Sequence, residues 1–211
     1  MRTLLLGVSA QFVFCCGVDN YNWPKQFRDL FEDGMDAYRA GKQEAHLLFD
    51  KTQTELLKAI GATPQEIFDF VEDTFHGGEP GFETTLLITE VRREYFLGVQ
   101  KGKHSKHVID MDKLPPKTAQ LGGIEWLPRI IEKAHAKLRG EMPPELMYGC
   151  GGDRAFLREN GIHAADFLRE VWAAGKDNEC ILEFVRKSAA DRPPDLPAAY
   201  CQILPGGRVK C

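Results

Sequence analysis

A glycine-rich segment that reads Tyr-Gly-Cys-Gly-Gly-Asp-Arg carries most of the side chains that could do chemistry. Its three glycines let backbone N–H groups approach a bound group closely, and a helix start beside them favours an anion or a thiolate. We therefore predict Cys150 as a nucleophile, with Asp153 or His163 as its catalytic partner. Tyr148 and Arg154, at the two ends of the segment, are predicted to contact the substrate.

A helix is predicted between Pro128 and Arg139, upstream of this cysteine. Proline suits the first turn of a helix, apolar residues follow at helical spacing, and Gly140 is a natural stop. Arg129 and Lys133 are four residues apart, so both side chains lie on one face near the helix start. We predict that these two cations bind the anionic group of a small metabolite beside the cysteine.

The same residues also permit a purely structural interpretation. A free cysteine often behaves as a small buried apolar residue, and Asp153 can cap a helix that begins near Arg154. His163 stands 100 positions after Thr63, a predicted helix cap, which favours a capping role for the histidine over catalysis. On this interpretation the segment is a tight turn between two helices and does no chemistry.

A longer string within the same region carries a family resemblance. Residues 121–134 read Leu-Gly-Gly-Ile-Glu-Trp-Leu-Pro-Arg-Ile-Ile-Glu-Lys-Ala, and Leu-Pro-Pro-Lys precedes them at 114–117. This string resembles a small bacterial family catalogued as a domain of unknown function (number fifty sixty-nine), and the likeness covers about residues 109–185. His135 stands where the family pattern has arginine, so no role is carried over to it. The resemblance implies a domain and no chemistry.

Composition limits the class of protein. The chain has 211 residues, of which 43% are hydrophobic and 27% charged, enough for one globular domain or two small ones. Its net charge of −4 gives no overall attraction to nucleic acid or anionic membranes. The six cysteines contain no C-x-x-C pair, and the motifs of P-loop, dinucleotide-binding, serine-hydrolase and zinc-protease sites are absent. No metal and no cofactor is therefore predicted.

Helical periodicity runs through most of the chain, so we predict an all-α, multi-helix globular fold. The pattern indicates helices over residues 24–40, 43–60, 64–75, 84–99, 128–139, 154–159, 164–174 and 178–188. An extended, proline-containing stretch at 108–123 opens the second of two helical units, which we place at 21–100 and 108–188. The termini, 1–20 and 189–211, are predicted to be a leader or start extension and an irregular tail.

The two predicted units share a pattern at a constant offset of 100 residues. Residues 55–67 and 155–167 agree in type at their leucine, glycine and acidic positions. An internal duplication of a helical unit would explain this agreement, and so would chance similarity of two helix–glycine–helix hairpins. If the duplication is real, the cleft between the units is the natural place for a ligand.

Residues 1–18 resemble a short secretory signal, in which Arg2 is followed by an apolar run. The run is too short to span a bilayer, and Cys15 and Cys16 give it a poor cleavage site. Cysteines without an evident disulfide framework suit a reducing compartment. We therefore predict a cytoplasmic protein that has no membrane association, with export through residues 1–18 as the alternative.

The sequence leaves open whether the protein is an enzyme. Our first hypothesis is a small enzyme or binder that acts on an anionic metabolite through the cysteine segment and the Arg129 helix. The second is a non-catalytic helical interaction module, including a homo-oligomer, because amphipathic helices are numerous and no complete catalytic motif is present. The third is nucleic-acid binding through Lys101–Lys106 and the same helix, which the net negative charge disfavours.

Overall fold

The computed structural model describes residues 19–191 and two short strands near the C-terminus. Its helices are α1 (Trp23–Arg39), α2 (Ala45–Leu48), α3 (Lys51–Ala59), α4 (Pro64–Gly77), α5 (Gly81–Gly98), α6 (Leu127–Arg139), α7 (Gly151–Glu159), α8 (Ala164–Ala174) and α9 (Asn178–Asp191). Two antiparallel strand pairs accompany them, β1 (Gln120–Leu121) with β2 (Ile124–Glu125) and β3 (Ile203–Leu204) with β4 (Arg208–Val209). The prediction of an all-α fold is confirmed.

Some sequence-based predictions concern residues that lie outside the described part of the chain. These are the signal-like run at 1–18 with Cys15 and Cys16, and Cys201 and Cys211 in the predicted tail. Helix α9 extends three residues beyond its predicted end at 188, to Asp191.

Helix α4 begins as the sequence predicts, at Thr63-Pro-Gln-Glu. The Thr63 hydroxyl accepts a hydrogen bond from the Glu66 N–H at 3.2 Å, and the Glu66 carboxylate accepts one from the Thr63 N–H at 3.0 Å. This reciprocal capping box satisfies two amides that have no partner within the helix. Helices α1, α6 and α8 also lie within one residue of their predicted bounds.

The single helix predicted over 43–60 is wrong, because the chain breaks it into α2 and α3. Phe49 and Asp50 take extended backbone conformations between the two helices. The Asp50 carboxylate accepts from the Gln53 N–H at 2.8 Å, and the Gln53 side chain accepts from the Asp50 N–H at 2.9 Å. Asp50 therefore starts a new helix, and the break turns the Phe49 ring into the core, where it is 7% exposed.

One smaller prediction is also corrected. The stretch 108–123 is not extended throughout, since Met111–Lys113 form a 3₁₀ turn and β1 enters a hairpin. Positive φ angles at Gly122 and Gly123, 56° and 84°, form the hairpin turn that leads into α6.

A single cluster of buried apolar side chains runs from Trp23 to Val185. Helix α5 lies at its centre and contacts α1 and α4 on one side and α6 and α8 on the other. The predicted division into units at 21–100 and 108–188, and the internal duplication, stay predictions. Among the described residues no helix is both long enough and apolar enough to cross a membrane.

Candidate active site

Helix α6 presents two lysines to the interior of the protein. Lys133 and Lys137 are 2% and 1% exposed, although lysine is almost never fully buried unless it is paired. The two side chains lie one turn apart on the same face of the helix. Each ends on a carboxylate from another part of the chain, Asp153 for the first and Glu66 for the second.

The Lys133 ammonium bridges a carboxylate and a thiol. It contacts Asp153 Oδ2 directly and lies 3.2 Å from the sulfur of Cys150. Asp153 is fully buried, and its carboxylate also accepts a hydrogen bond from the Gly149 N–H at 2.9 Å and one from the Trp126 indole N–H at 3.0 Å. The carboxylate therefore holds the lysine in a fixed position beside the sulfur.

The start of α7 differs from the prediction. The helix begins at Gly151, with Cys150 at the capping position, three residues before the expected start near Arg154. Asp153 is thus not the cap but the third residue of the helix, because its carboxylate reaches back to the Gly149 N–H. Cys150 stands at the positive end of the helix dipole, where the first N–H groups have no acceptor within the helix.

Gly152 allows Trp126 to reach the buried carboxylate. A Cβ atom at Gly152 would lie 2.6 Å from Cζ2 of the Trp126 ring, so only glycine permits this contact. Trp126 itself has a positive φ of 67°, and it turns the chain from β2 into α6. Trp126 was not predicted as a site residue, and the signal for its contact in the sequence is the glycine pair after Cys150.

Arg154 attaches the cysteine segment to the first half of the chain. Its guanidinium donates to the Gly149 carbonyl oxygen and to Asp73 Oδ2, each at 2.7 Å, and its Nε lies 3.6 Å from a carboxylate oxygen of Glu79. The sequence predicted Arg154 as a substrate contact and gave no sign of Asp73 or Glu79. The role as a substrate contact stays a prediction.

Arg129 lies one turn before Lys133 on α6 and is partly exposed. Its guanidinium donates to the Pro115 carbonyl oxygen at 2.7 Å. It is therefore Lys133, and not Arg129, whose cation contacts the thiol. A further cation, the exposed Lys117, places its ammonium 5.9 Å from the centre of the Trp126 ring. Anion binding by Arg129 stays a prediction.

Tyr148 connects the cysteine segment to the start of α8, where His163 is the N-cap. The Tyr148 hydroxyl donates to the Ala164 carbonyl oxygen at 2.7 Å. Burial, reinforced by the charges of Asp153 and Asp166, raises the pKa of Tyr148 well above its usual value, so the hydroxyl stays a donor. His163 is the N-cap of α8, and its Nδ1 accepts from the Ala165 N–H at 3.2 Å. Its catalytic role stays a prediction, and its observed contact is the capping contact.

The second buried lysine belongs to a neighbouring polar cluster. Lys137 Nζ lies 3.2 Å from Glu66 Oε1, and Asp69 stands one turn further along α4. Burial, with the charges of Glu72 and Glu66, raises the pKa of Asp69 to about 6, against the opposing hydrogen bond from Gln65 and the charge of Lys137. Asp69 is therefore half-ionised near pH 6, about two pH units above an ordinary aspartate.

This raised pKa predicts a pH-dependent effect of Asp69→Asn. The folded pKa lies above the unfolded value of 3.8, so the folded protein binds the extra proton between the two. Ionisation of Asp69 therefore lowers the free energy of unfolding as the pH rises through about 6. We expect Asp69→Asn to raise the melting temperature at about pH 7.5 and to have little effect near about pH 4. An equal shift at both values would contradict the assignment, and Asp29→Asn on an exposed face of α1 is the control.

Two cysteines lie in the described part of the chain, and they differ in environment. Cys150 is partly exposed beside Lys133, whereas Cys180 is exposed at the start of α9. Desolvation, the hydrogen bond to the Glu170 carboxylate, and nearby acidic charges raise the pKa of the Cys180 thiol. The described residues contain no group of three or more histidine, cysteine, aspartate or glutamate side chains arranged to hold a metal.

One comparison with known proteins matches the segment that contains this site. No curated protein and no solved structure matches the chain significantly. The family resemblance that the sequence predicted is confirmed for part of the chain. Residues 114–202, which include Lys133, Cys150 and Asp153, match the family model described as Domain of unknown function (DUF5069).

Proposed function

We propose that Cys150 is the nucleophile of a small enzyme, or of a covalent binder, that acts on an anionic small molecule. The observation that supports this most directly is the 3.2 Å contact between the Lys133 ammonium and the Cys150 sulfur. A thiolate is the nucleophilic form of cysteine, and an adjacent cation or a helix N-terminus stabilises it. Cys150 has both neighbours, and part of its surface remains open to solvent.

The surrounding charges favour an anionic substrate. Cys150 is the N-cap of α7, so its sulfur lies at the helix end where the first amides have no acceptor within the helix. The Lys117 ammonium lies 5.9 Å from the centre of the Trp126 ring, and Arg129 adds a second positive charge one turn before Lys133 on α6. Asp153 is fully buried and paired with Lys133, so this pair carries no net charge and the attraction for an anion comes from Lys117 and Arg129.

Two alkylating reagents of similar size test both parts of this proposal. Iodoacetamide is neutral and iodoacetate is anionic, and peptide mass spectrometry reports the rate at each cysteine. We expect Cys150 to react about tenfold or more faster than Cys180 in the folded protein, and at a similar rate in urea. We also expect iodoacetate to be favoured at Cys150 and disfavoured at Cys180, where Glu170 lies 3.6 Å from the sulfur.

The variants Arg129→Gln and Lys117→Gln identify the cations that attract the anionic reagent. Each should lower the ratio of the iodoacetate rate to the iodoacetamide rate at Cys150 and leave that ratio unchanged at Cys180. Lys51→Gln, at an exposed position of α3, is the matched control. Equal alkylation rates at Cys150 and Cys180 in the folded protein would contradict the role of Cys150 as a nucleophile. An unchanged ratio of the iodoacetate rate to the iodoacetamide rate in both variants would contradict the preference for an anionic substrate.

An interaction module is the second candidate, because large apolar side chains are exposed on several elements. These are Tyr21, Leu47, Phe75, Leu87, Leu97, Val99, Val108 and Met111. They lie on several separate elements, so they indicate no single partner. Light scattering that shows concentration-dependent association would favour this candidate over the nucleophile.

A further inference from the structure

The Lys133 nitrogen and the Cys150 sulfur are placed to become covalently joined. They are 3.2 Å apart in the resting protein, so the reaction needs only a small displacement of a flexible lysine side chain. An oxidised cysteine condenses with a nitrogen nucleophile to form a sulfenamide. Here the nitrogen is a side-chain amine that already contacts the sulfur.

The accessibility of the two groups suits this reaction. The Cys150 thiol is partly exposed, so a small oxidant can reach the sulfur from solvent. The Lys133 side chain is 3% exposed, and its nitrogen is already held 3.2 Å from the sulfur before any external nucleophile arrives. Asp153 contacts the same nitrogen and is placed to accept its proton.

We propose that a hydroperoxide converts Cys150 and Lys133 into a reversible sulfenamide cross-link. The cross-link uses the same thiol as the proposed function and needs no substrate. It would block the nucleophile under oxidising conditions and prevent its further, irreversible oxidation to the sulfinic acid. The site would then recover when a thiol reductant is present.

The reaction balances in two steps. The Cys150 sulfur attacks one oxygen of the hydroperoxide, the O–O bond breaks, and the sulfur is oxidised to a sulfenic acid while the other oxygen leaves as water or an alcohol. Lys133 gives one proton to Asp153, which keeps it as a neutral carboxylic acid. The neutral amine then attacks the sulfur, the N–S bond forms, the S–O bond breaks, and hydroxide leaves with an amine proton as water.

Reduction reverses the process. An added thiol attacks the sulfur, the N–S bond breaks, and the Lys133 amine takes up a proton. This leaves a mixed disulfide at Cys150, which a second thiol reduces to restore the free cysteine.

The test treats the full chain with hydrogen peroxide and maps the products by peptide mass spectrometry. We expect a linked pair of peptides containing Lys133 and Cys150, lighter than their sum by two hydrogen atoms. Trypsin should no longer cleave after Lys133, and dithiothreitol should restore that cleavage. Cys180, whose sulfur contacts the Glu170 carboxylate, should instead give a sulfenic acid that dimedone traps.

The variant Lys133→Arg keeps a positive charge at residue 133 and removes the amine that would form the cross-link. Arginine keeps a cation for Asp153 but supplies no nucleophilic amine, so we expect the cross-link to be lost. Circular dichroism checks the fold, and dimedone should then label Cys150 in the variant. Continued cleavage after Lys133 in the oxidised wild type, with Cys150 present as dimedone adduct or sulfinic acid, would overturn the proposal.

The outcomes distinguish this proposal from the proposed function. Rapid alkylation of Cys150 without a cross-link would leave the nucleophile supported and overturn the sulfenamide. A cross-link together with slow alkylation would support the sulfenamide and overturn the nucleophile.

Discussion

Replacement of Lys133 by methionine is expected to lower the free energy of unfolding by about 3–5 kcal/mol. Methionine fills a similar volume, but it leaves the Asp153 carboxylate buried without a cation. The remaining partners, the Trp126 and Gly149 N–H groups, are neutral and cannot compensate a charge that is 0% exposed. Urea denaturation measures the loss.

A double variant distinguishes the unpaired charge from lost packing. Lys133→Met combined with Asp153→Leu removes both charges, so we expect it to recover most of the stability that the single change loses. The control Lys117→Met replaces an exposed lysine and should change the free energy by less than about 0.5 kcal/mol. If Lys133→Met lowers the free energy of unfolding by less than about 1 kcal/mol, the Lys133–Asp153 ion pair contributes little to stability.

The second large effect is expected from alanine at Gly152. The added Cβ would lie 2.6 Å from the Trp126 ring, so the indole must move away from Asp153. We expect a loss of about 1–3 kcal/mol from overpacking and from the broken hydrogen bond. Thermal denaturation measures the stability, and a shift of tryptophan fluorescence reports the displaced ring.

Gly151 supplies a matched control one residue earlier in the same helix. A Cβ at Gly151 would meet only the end of the Arg154 side chain, at 3.9 Å, so alanine fits there without strain. Because alanine has the higher helix propensity, Gly151→Ala should be neutral or stabilise the protein by up to about 1 kcal/mol. Equal losses at both positions would contradict the role assigned to the Trp126 contact.

The local features of the fold were predictable from the sequence because their partners lie within a few residues. The capping box at Thr63 and Glu66 and the proline start of α6 are of this kind. The break at Asp50 was not predicted, although Asp50 and Gln53 carry its signal, because apolar spacing ran on through the break. The hydrogen bonds between Asp50 and Gln53 therefore begin a new helix, although the apolar spacing continues through this point.

The sequence predicted which residues form the candidate site but not the hydrogen bonds that hold them together. Lys133, Cys150 and Asp153 were named from residue type, and the structure brings them together. Their arrangement depends on Trp126 and Arg154, whose partners lie across the fold or far along the chain. Spacing along one helix could not show that Lys133 turns inward and Arg129 bonds a carbonyl oxygen instead.

Arg154 binds Asp73 and Glu79, and these contacts matter when the segment that matches the family model is isolated for experiments. Both carboxylates precede residue 114, so they lie outside the stretch that matches the family. A fragment cut at that boundary would keep the cysteine and lose the two anions that neutralise Arg154, along with Glu66 beside Lys137. In the excised segment Arg154 in the site and Lys137 in the neighbouring cluster would have no carboxylate partner, so the ligand preferences measured on it would be biased towards anions.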